Sequence, residues 1–191
     1  MNDSGIPKDP LRGNDVVVRP RRAGDIPVLV DVLLAQQPTS RYPFRDPLPI
    51  PVEQFLHAED ADAAWVAQVD GRVVGHVCRQ PPLTGFDDAA AMNDVCADTH
   101  GCDLSQLAWV STLFVGLGGR RLGVGRRLLD TVVADIGADG RRPCLEVLEA
   151  HPAAIALYES SGWRTVLSLR PAWLREATDE DVSVKVMILP G

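Results

Sequence analysis

The stretch LFVGLGGRRLGVGRRLLD, Leu113 to Asp130, decides how this chain is read. It opens as an apolar strand, packs five glycines and two arginines into the ten residues Gly116 to Gly125, and closes as an amphipathic helix. A helix N-terminus exposes unpaired backbone N–H groups and carries partial positive charge. Glycines ahead of it let the backbone turn sharply and approach a ligand closely. Arginines add charge and bidentate donors. The combination predicts an anion site with phosphate as its guest; the plainer alternative is a flexible turn before a surface helix. A P-loop would end in Gly-Lys and then Ser or Thr, whereas Gly125 is followed by Arg126 and Arg127. A dinucleotide fold needs Gly-x-Gly-x-x-Gly after an early strand. Here the loop follows the fourth predicted strand and reads Arg120-x-x-Gly123-x-Gly125.

The frame around the loop is that of a soluble globular chain. The 191 residues suffice for one core, and the apolar and charged fractions, 46% and 24%, are ordinary. A net charge of −7 argues against nucleic acid and anionic membranes as partners, and makes the Arg-rich loop a local exception. No apolar run reaches the roughly 18 residues of a membrane span. The opening MNDSGIPKDPLRGND has no signal-like apolar stretch, so a cytoplasmic protein is expected. The cysteines, Cys78, Cys96, Cys102 and Cys144, form no CxxC pair. Cys96, His100, Cys102 and Asp103 cluster without a standard zinc spacing, so no metal is expected.

The sequence predicts a flexible leader over residues 1–14 and one domain over 15–191. DVVVRP is a strand. A helix follows, with Asp25 as cap and Pro27 in its first turn. Pro38 to Pro51 holds five prolines in fourteen residues and is expected to be irregular. Its Arg41, Tyr42, Phe44 and Arg45 equip it for binding. VEQFLHAED reads as a short helix. Trp65–Val69 and Val73–Cys78 form a hairpin about Asp70-Gly71. Gln80 to Gln106 is a long irregular piece, helical in part, whose five aspartates face either solvent or a cationic amine. LAWVSTLFV is the central strand. After the loop and its helix come the strand PCLEVL, a helix ending at Gly162, and two strands joined by a polar loop.

Two motifs together resemble the GNAT superfamily, the Gcn5-related N-acetyltransferases. One is the strand, Arg/Gln-x-x-Gly-x-Gly/Ala loop and helix, matched by Arg120, Gly123 and Gly125. The other is LEVLEAHPAAIALYESSGW, in which Ala154, Leu157, Tyr158 and Gly162 match and Trp163 replaces Phe. Leu117, Arg121 and His151 depart from the usual Pro, Gly and Asn. The resemblance implies a mixed, mostly antiparallel α/β (α+β) fold. About seven strands are flanked by about four helices, and the sheet is splayed between the fourth and fifth strands. It also implies acetyl-CoA as cofactor and transfer of its acetyl group to a primary amine. The pyrophosphate role falls on Arg120, Arg121, Leu122, Gly123, Val124, Gly125 and Arg126. The pantetheine role falls on Leu113, Phe114 and Val115, with His151 and Ala154 beside the cofactor. Tyr158 is the expected general acid. Glu146 leads as base, with Ser111 as holder of a water, and with His76 and Asp103 behind it. A non-catalytic CoA-binding module is the rival reading. A homodimer is an option, with Trp163 and Trp173 either in its interface or in the core.

Overall fold

The structure is a computed structural model and describes residues 15–58 and 60–191; the predicted leader, residues 1–14, lies outside them. Seven strands, β1 (Val16–Pro20), β2 (Ala63–Val69), β3 (Arg72–Gln80), β4 (Leu107–Val115), β5 (Arg142–Leu148), β6 (Arg164–Leu169) and β7 (Val184–Ile188), form one sheet. Their order is β1-β2-β3-β4-β5-β7-β6. Only β4 and β5 are parallel. A parallel neighbour needs a crossover, and α4 (Val124–Ala138) supplies it. The hairpin turn between β2 and β3 is where the dipeptide signal put it, with Asp70 and Gly71 both at positive φ.

Apolar faces explain the layering. Leu128, Leu129, Val132 and Ile136 of α4 recur at helical spacing and bury against Ala67, Val77, Val110 and Leu145. On the opposite face, α1 (Ile26–Ser40) and α2 (Val52–His57) pack Leu29, Leu33 and Leu56 on Val66 and Phe114. Farther along that face, α3 (Ala89–His100) packs Met92 and Cys96 on Leu107, Trp109, Cys144 and Val186.

Four local expectations are corrected. The described residues hold six α-helices rather than about four, because α2 and α6 (Ala172–Ala177) are both formed. The predicted polar loop after β6 contains α6, whose Leu174 is fully buried with Leu148 and Val184. Regular structure also enters the proline-rich segment, since α1 continues through Pro38 to Ser40. Pro38 and Leu34, whose carbonyl it cannot serve, both lie on the exposed side, where water replaces the lost bond. Buried Gln36 then closes the helix end, donating to the Tyr42 carbonyl at 2.6 Å and accepting from Ser40 Oγ at 2.5 Å. Lastly, Asp25 does not cap α1. It accepts from the Arg22 N–H at 2.7 Å and pairs with both guanidinium ends of Arg19 at 2.7 and 2.8 Å. The Arg19 hydrogen bond holds its carboxyl below the usual range.

The predicted splay is present and has a visible cause. β4 and β5 pair only from Leu107–Arg142 to Val110–Leu145. Beyond that point β4 bulges: Ser111 faces Cys78 and Phe114 faces His76, so Val77 opposes both Thr112 and Leu113. Thr112 sits at φ 51°, a strained position for a β-branched residue. His76 holds it there. Its Nδ1–H donates to the Thr112 carbonyl at 3.0 Å, while Nε2 accepts from Arg21 Nη1 at 3.2 Å. Arg21 in turn donates to the Leu56 and His57 carbonyls. Burial, the largest cause, lowers the His76 pKa to about 4, so the ring is neutral and both nitrogens are used. His76 therefore shapes the bulge and is not a base.

Candidate active site

The splay opens a cleft with two adjoining chambers. The larger, about 860 Å³, runs from the end of β4 across the glycine loop to α5 (Pro152–Ser160). The end where the sequence predicts phosphate is made of backbone. The intrahelical ladder of α4 begins with the Arg127 N–H bonding the Gly123 carbonyl at 3.1 Å, so the amides of Val124, Gly125 and Arg126 precede it. Arg121 and Gly123 take positive φ, 63° and 74°, and bend the preceding turn around the helix end. Gly119 is needed for a different reason: a Cβ there would lie 2.9 Å from both Val74 Cγ2 and Val115 Cγ1.

Eleven of the twelve predicted cofactor residues border this chamber: Leu113, Phe114, Val115, Arg120, Arg121, Gly123, Val124, Gly125, Arg126, His151 and Ala154. Leu122 is the exception, its side chain packing on the core. Arg120 reaches Gln36 Oε1 at 3.4 Å and Arg126 donates to Ser160 Oγ at 2.7 Å, so both guanidinium groups are steadied beside the loop. His151 stands where the family's Asn does. Its Nε2 donates to the Arg41 carbonyl at 3.2 Å and its ring meets Tyr42 edge-on at 6.0 Å. Burial, the leading cause, lowers its pKa.

The smaller chamber, about 380 Å³, lies between the α1–α2 connection, the splayed ends of β4 and β5, and α6. Tyr42, Leu113, His151, Ala154 and Tyr158 border both chambers and mark their junction. Tyr158 is buried beside Trp163, ring centroids 6.1 Å apart, and desolvation raises its pKa so that it stays protonated. Glu146 borders only the smaller chamber. Leu145 and Val147 on either side of it are buried in the α4 core, so strand alternation aims Glu146 at the other face and into the gap. Solvent reaches it through the chamber, yet protein crowds it elsewhere, and this desolvation pushes its pKa up to about 7.

The weaker candidates separate here. Ser111 borders the smaller chamber, with Oγ 3.3 Å from Thr112 Oγ1. Asp103 lies before a short turn (Leu104–Gln106) far along the other face. Asp87, Asp88, Asp94, Asp98 and Asp103 border neither chamber, because the 80–106 segment folds largely as α3 beneath the far half of the sheet. The idea that they attract the substrate is thus corrected. Cys96 is buried, His100 bonds the Pro143 carbonyl at 3.2 Å, and no metal-ligand group forms among the described residues. Trp163 is core, and Trp173 borders the smaller chamber rather than an outer face. Sequence reasoning missed Trp173, Phe55, Ile50 and Gln36 as cleft residues. They come from separate segments, and no short-range pattern joins them.

Residues 29–163, well over half of the chain, match the family model described as Acetyltransferase (GNAT) family. The chain belongs to the GNAT family. It is therefore an acyltransferase, of a family whose acetyl donor is acetyl-CoA. No curated protein matches the sequence significantly. Several solved structures share the fold. A GCN5-related N-acetyltransferase from Kribbella flavida is 22% identical, with 92% of this chain and 98% of that one covered and a TM-score of 0.67. The ribosomal-protein-S18-alanine N-acetyltransferase of Escherichia coli is 20% identical, covering 92% and 94%, with a TM-score of 0.62. The yncA protein of Salmonella typhimurium, solved with its cofactor acetyl-CoA, is 13% identical, covering 92% and 94%, with a TM-score of 0.65. Among the described residues no helix of this GNAT chain is long and apolar enough to cross a membrane.

Proposed function

We propose that the chain is an N-acetyltransferase that moves the acetyl group of acetyl-CoA to a primary amine by direct attack. The observation that carries this reading is the meeting of the two chambers at Tyr158, with Glu146 on the side away from the phosphate loop. The pyrophosphate is held by the amides around Gly123 to Arg126, with Arg120 and Arg126 adding charge. The pantetheine arm follows the unpaired end of β4, Leu113 to Val115, past His151 and Ala154. This brings the thioester to the junction and the amine into the smaller chamber.

An alkylammonium has a pKa near 10.4, so about one molecule in 10³ is neutral at pH 7 and a proton must be removed before attack. Glu146, with its pKa pushed up to about 7, is matched to that task. The ammonium proton passes to Glu146, directly or through a water held by Ser111. The nitrogen lone pair then forms the C–N bond. Collapse of the tetrahedral adduct breaks the C–S bond, and the sulfur leaves with its electron pair. Tyr158 supplies the proton that makes this leaving group a thiol, and the second proton given up by the adduct nitrogen restores the Tyr158 phenol and leaves a neutral amide. The other ionisable groups bordering the smaller chamber are Tyr42, His151 and Arg45, none of them an acid of carboxyl strength.

The test is thiol release from acetyl-CoA across an amine panel, run beside calorimetric acetyl-CoA binding, for wild type, Glu146→Gln and Tyr158→Phe. Transfer by wild type with loss in both variants, at unchanged cofactor affinity, supports the reading. Tight acetyl-CoA binding with equal inertness of all three proteins supports a binding module instead.

A further inference from the structure

The smaller chamber specifies more than an amine. Its walls include Tyr42, Phe44, Ile50, Phe55, Leu148 and Trp173, a largely apolar and aromatic enclosure. Its volume, about 380 Å³, lies near the low end for small-molecule sites, which run from about 300 to 1,000 Å³. Two charges of opposite sign border it, Glu146 and Arg45.

The two arginines of the α1–α2 connection are used differently. Arg41 lies over Phe44, 5.0 Å from the ring centre, and is committed to Glu180 through contacts of 2.9 and 3.2 Å. Arg45 lies over Trp173, 5.2 Å from the ring centre, and no acid pairs with it among the described residues. Stacking occupies the face of a guanidinium and leaves the N–H fork at its edge free. A fork held in place by an aromatic ring is a receptor for a planar, bidentate anion, and a carboxylate is the matching shape.

We infer that the acceptor is a compact primary amine whose apolar body also carries a carboxylate, which Arg45 receives while the amine faces Glu146. The amine end of this assignment rests on the acetyl-transfer reading; the carboxylate end rests on Arg45 alone. Polyamines and aminoglycosides do not fit, since several ammonium groups would meet one carboxylate and one guanidinium in an apolar chamber. A peptide N-terminus brings the amine but no carboxylate beside it.

Matched pairs test this: phenylalanine against phenethylamine, and para-(aminomethyl)benzoate against benzylamine, with spermidine, kanamycin and an alanine-starting peptide as further arms. Transfer kinetics and binding to the CoA-loaded protein are both measured. For at least one pair the carboxylate-bearing member is expected to have the lower KM and the tighter binding. Arg45→Gln should weaken that member by about tenfold or more, as for a lost charge-assisted pair, and leave its neutral partner unchanged. Trp173→Leu, which removes the stack and keeps the charge, should show a smaller loss of the same sign. Equal use of both members of each pair by wild type, or faster transfer to spermidine, kanamycin or the peptide, overturns the inference while acetyl transfer stands. Arg45-dependent binding without any transfer upholds the carboxylate site and overturns the acetyl-transfer reading.

Discussion

The two halves of the cleft are built from different materials. The half proposed for the donor is formed largely by one continuous stretch, residues 113–126, whose loop offers main-chain groups along a path that Gly119 and Gly123 permit. The acceptor half is assembled from side chains on the α1–α2 connection, α2, β4, β5, α5, α6 and β7. Backbone recognition serves a ligand that does not change. Side-chain recognition from seven segments can be altered one residue at a time without disturbing the first half. On the proposed reading, a fixed donor site lies beside an adjustable acceptor site, with Tyr158 at the boundary.

Substitutions can break or sharpen that division, and the largest effect belongs to the chemistry at the boundary. Glu146→Gln and Tyr158→Phe should each lower kcat by about 10²–10⁴, the range for a lost general base or acid, and leave acetyl-CoA affinity within twofold. Calorimetry beside steady-state kinetics reads both quantities. Next comes the device that opens the cleft. His76→Ala leaves the buried Thr112 carbonyl without its partner and takes one contact from Arg21, which keeps the Leu56 and His57 carbonyls, at a loss of about 1–3 kcal/mol in stability. Urea unfolding measures it, and both half-sites should weaken together because both depend on the bulge. The folded His76 pKa lies below that of a free imidazole, so protonation favours unfolding. The wild-type stability contributed here is complete above about pH 6.5 and falls between about 6.5 and 4.

Smaller effects separate the halves. Arg120→Gln should weaken acetyl-CoA by about 5- to 30-fold, less at high salt, without changing which amine is preferred. The last effect is on stability. The Glu146 pKa is raised on folding, so the folded chain retains a proton that the unfolded chain releases. Stability from this group is full below about pH 4.5 and is lost as pH rises through 7. Glu146→Gln should therefore raise the melting temperature at pH 8 and change it little at pH 4.5. An equal shift at both values would assign the gain to packing instead of charge.

The same contrast explains what the sequence disclosed. The donor half was legible because its determinants are short-range: a strand, glycines where the turn needs positive φ or close approach, and an amphipathic helix. Gly119 and Gly123 say as much by spacing alone. The mostly antiparallel sheet and its splay followed from the family resemblance, while the cause of the splay, the Thr112–His76 contact, joins residues 36 positions apart and carries no pattern. Tyr42 and Arg45 stood out as binding types in a proline-rich segment, but only the fold brings Trp173 beneath Arg45. Helix α3 was legible as the helical part of the 80–106 segment, with Asp94 and Asp98 on its exposed side and Gly101 at its end. Pro38 was misleading for a physical reason: a proline in an exposed last turn removes a bond that water can replace.

Glu146 is the proposed base, inside a chamber that raises its pKa. The direct measurement is the pH dependence of kcat/KM for acetyl transfer, wild type beside Glu146→Gln, at saturating acetyl-CoA. The account predicts a wild-type rate that climbs through a pKa near 7, and a variant that lacks this limb and retains only the climb near 10 belonging to the amine itself. The same limb near 7 in both proteins would contradict it, since the titrating group would then be something other than Glu146.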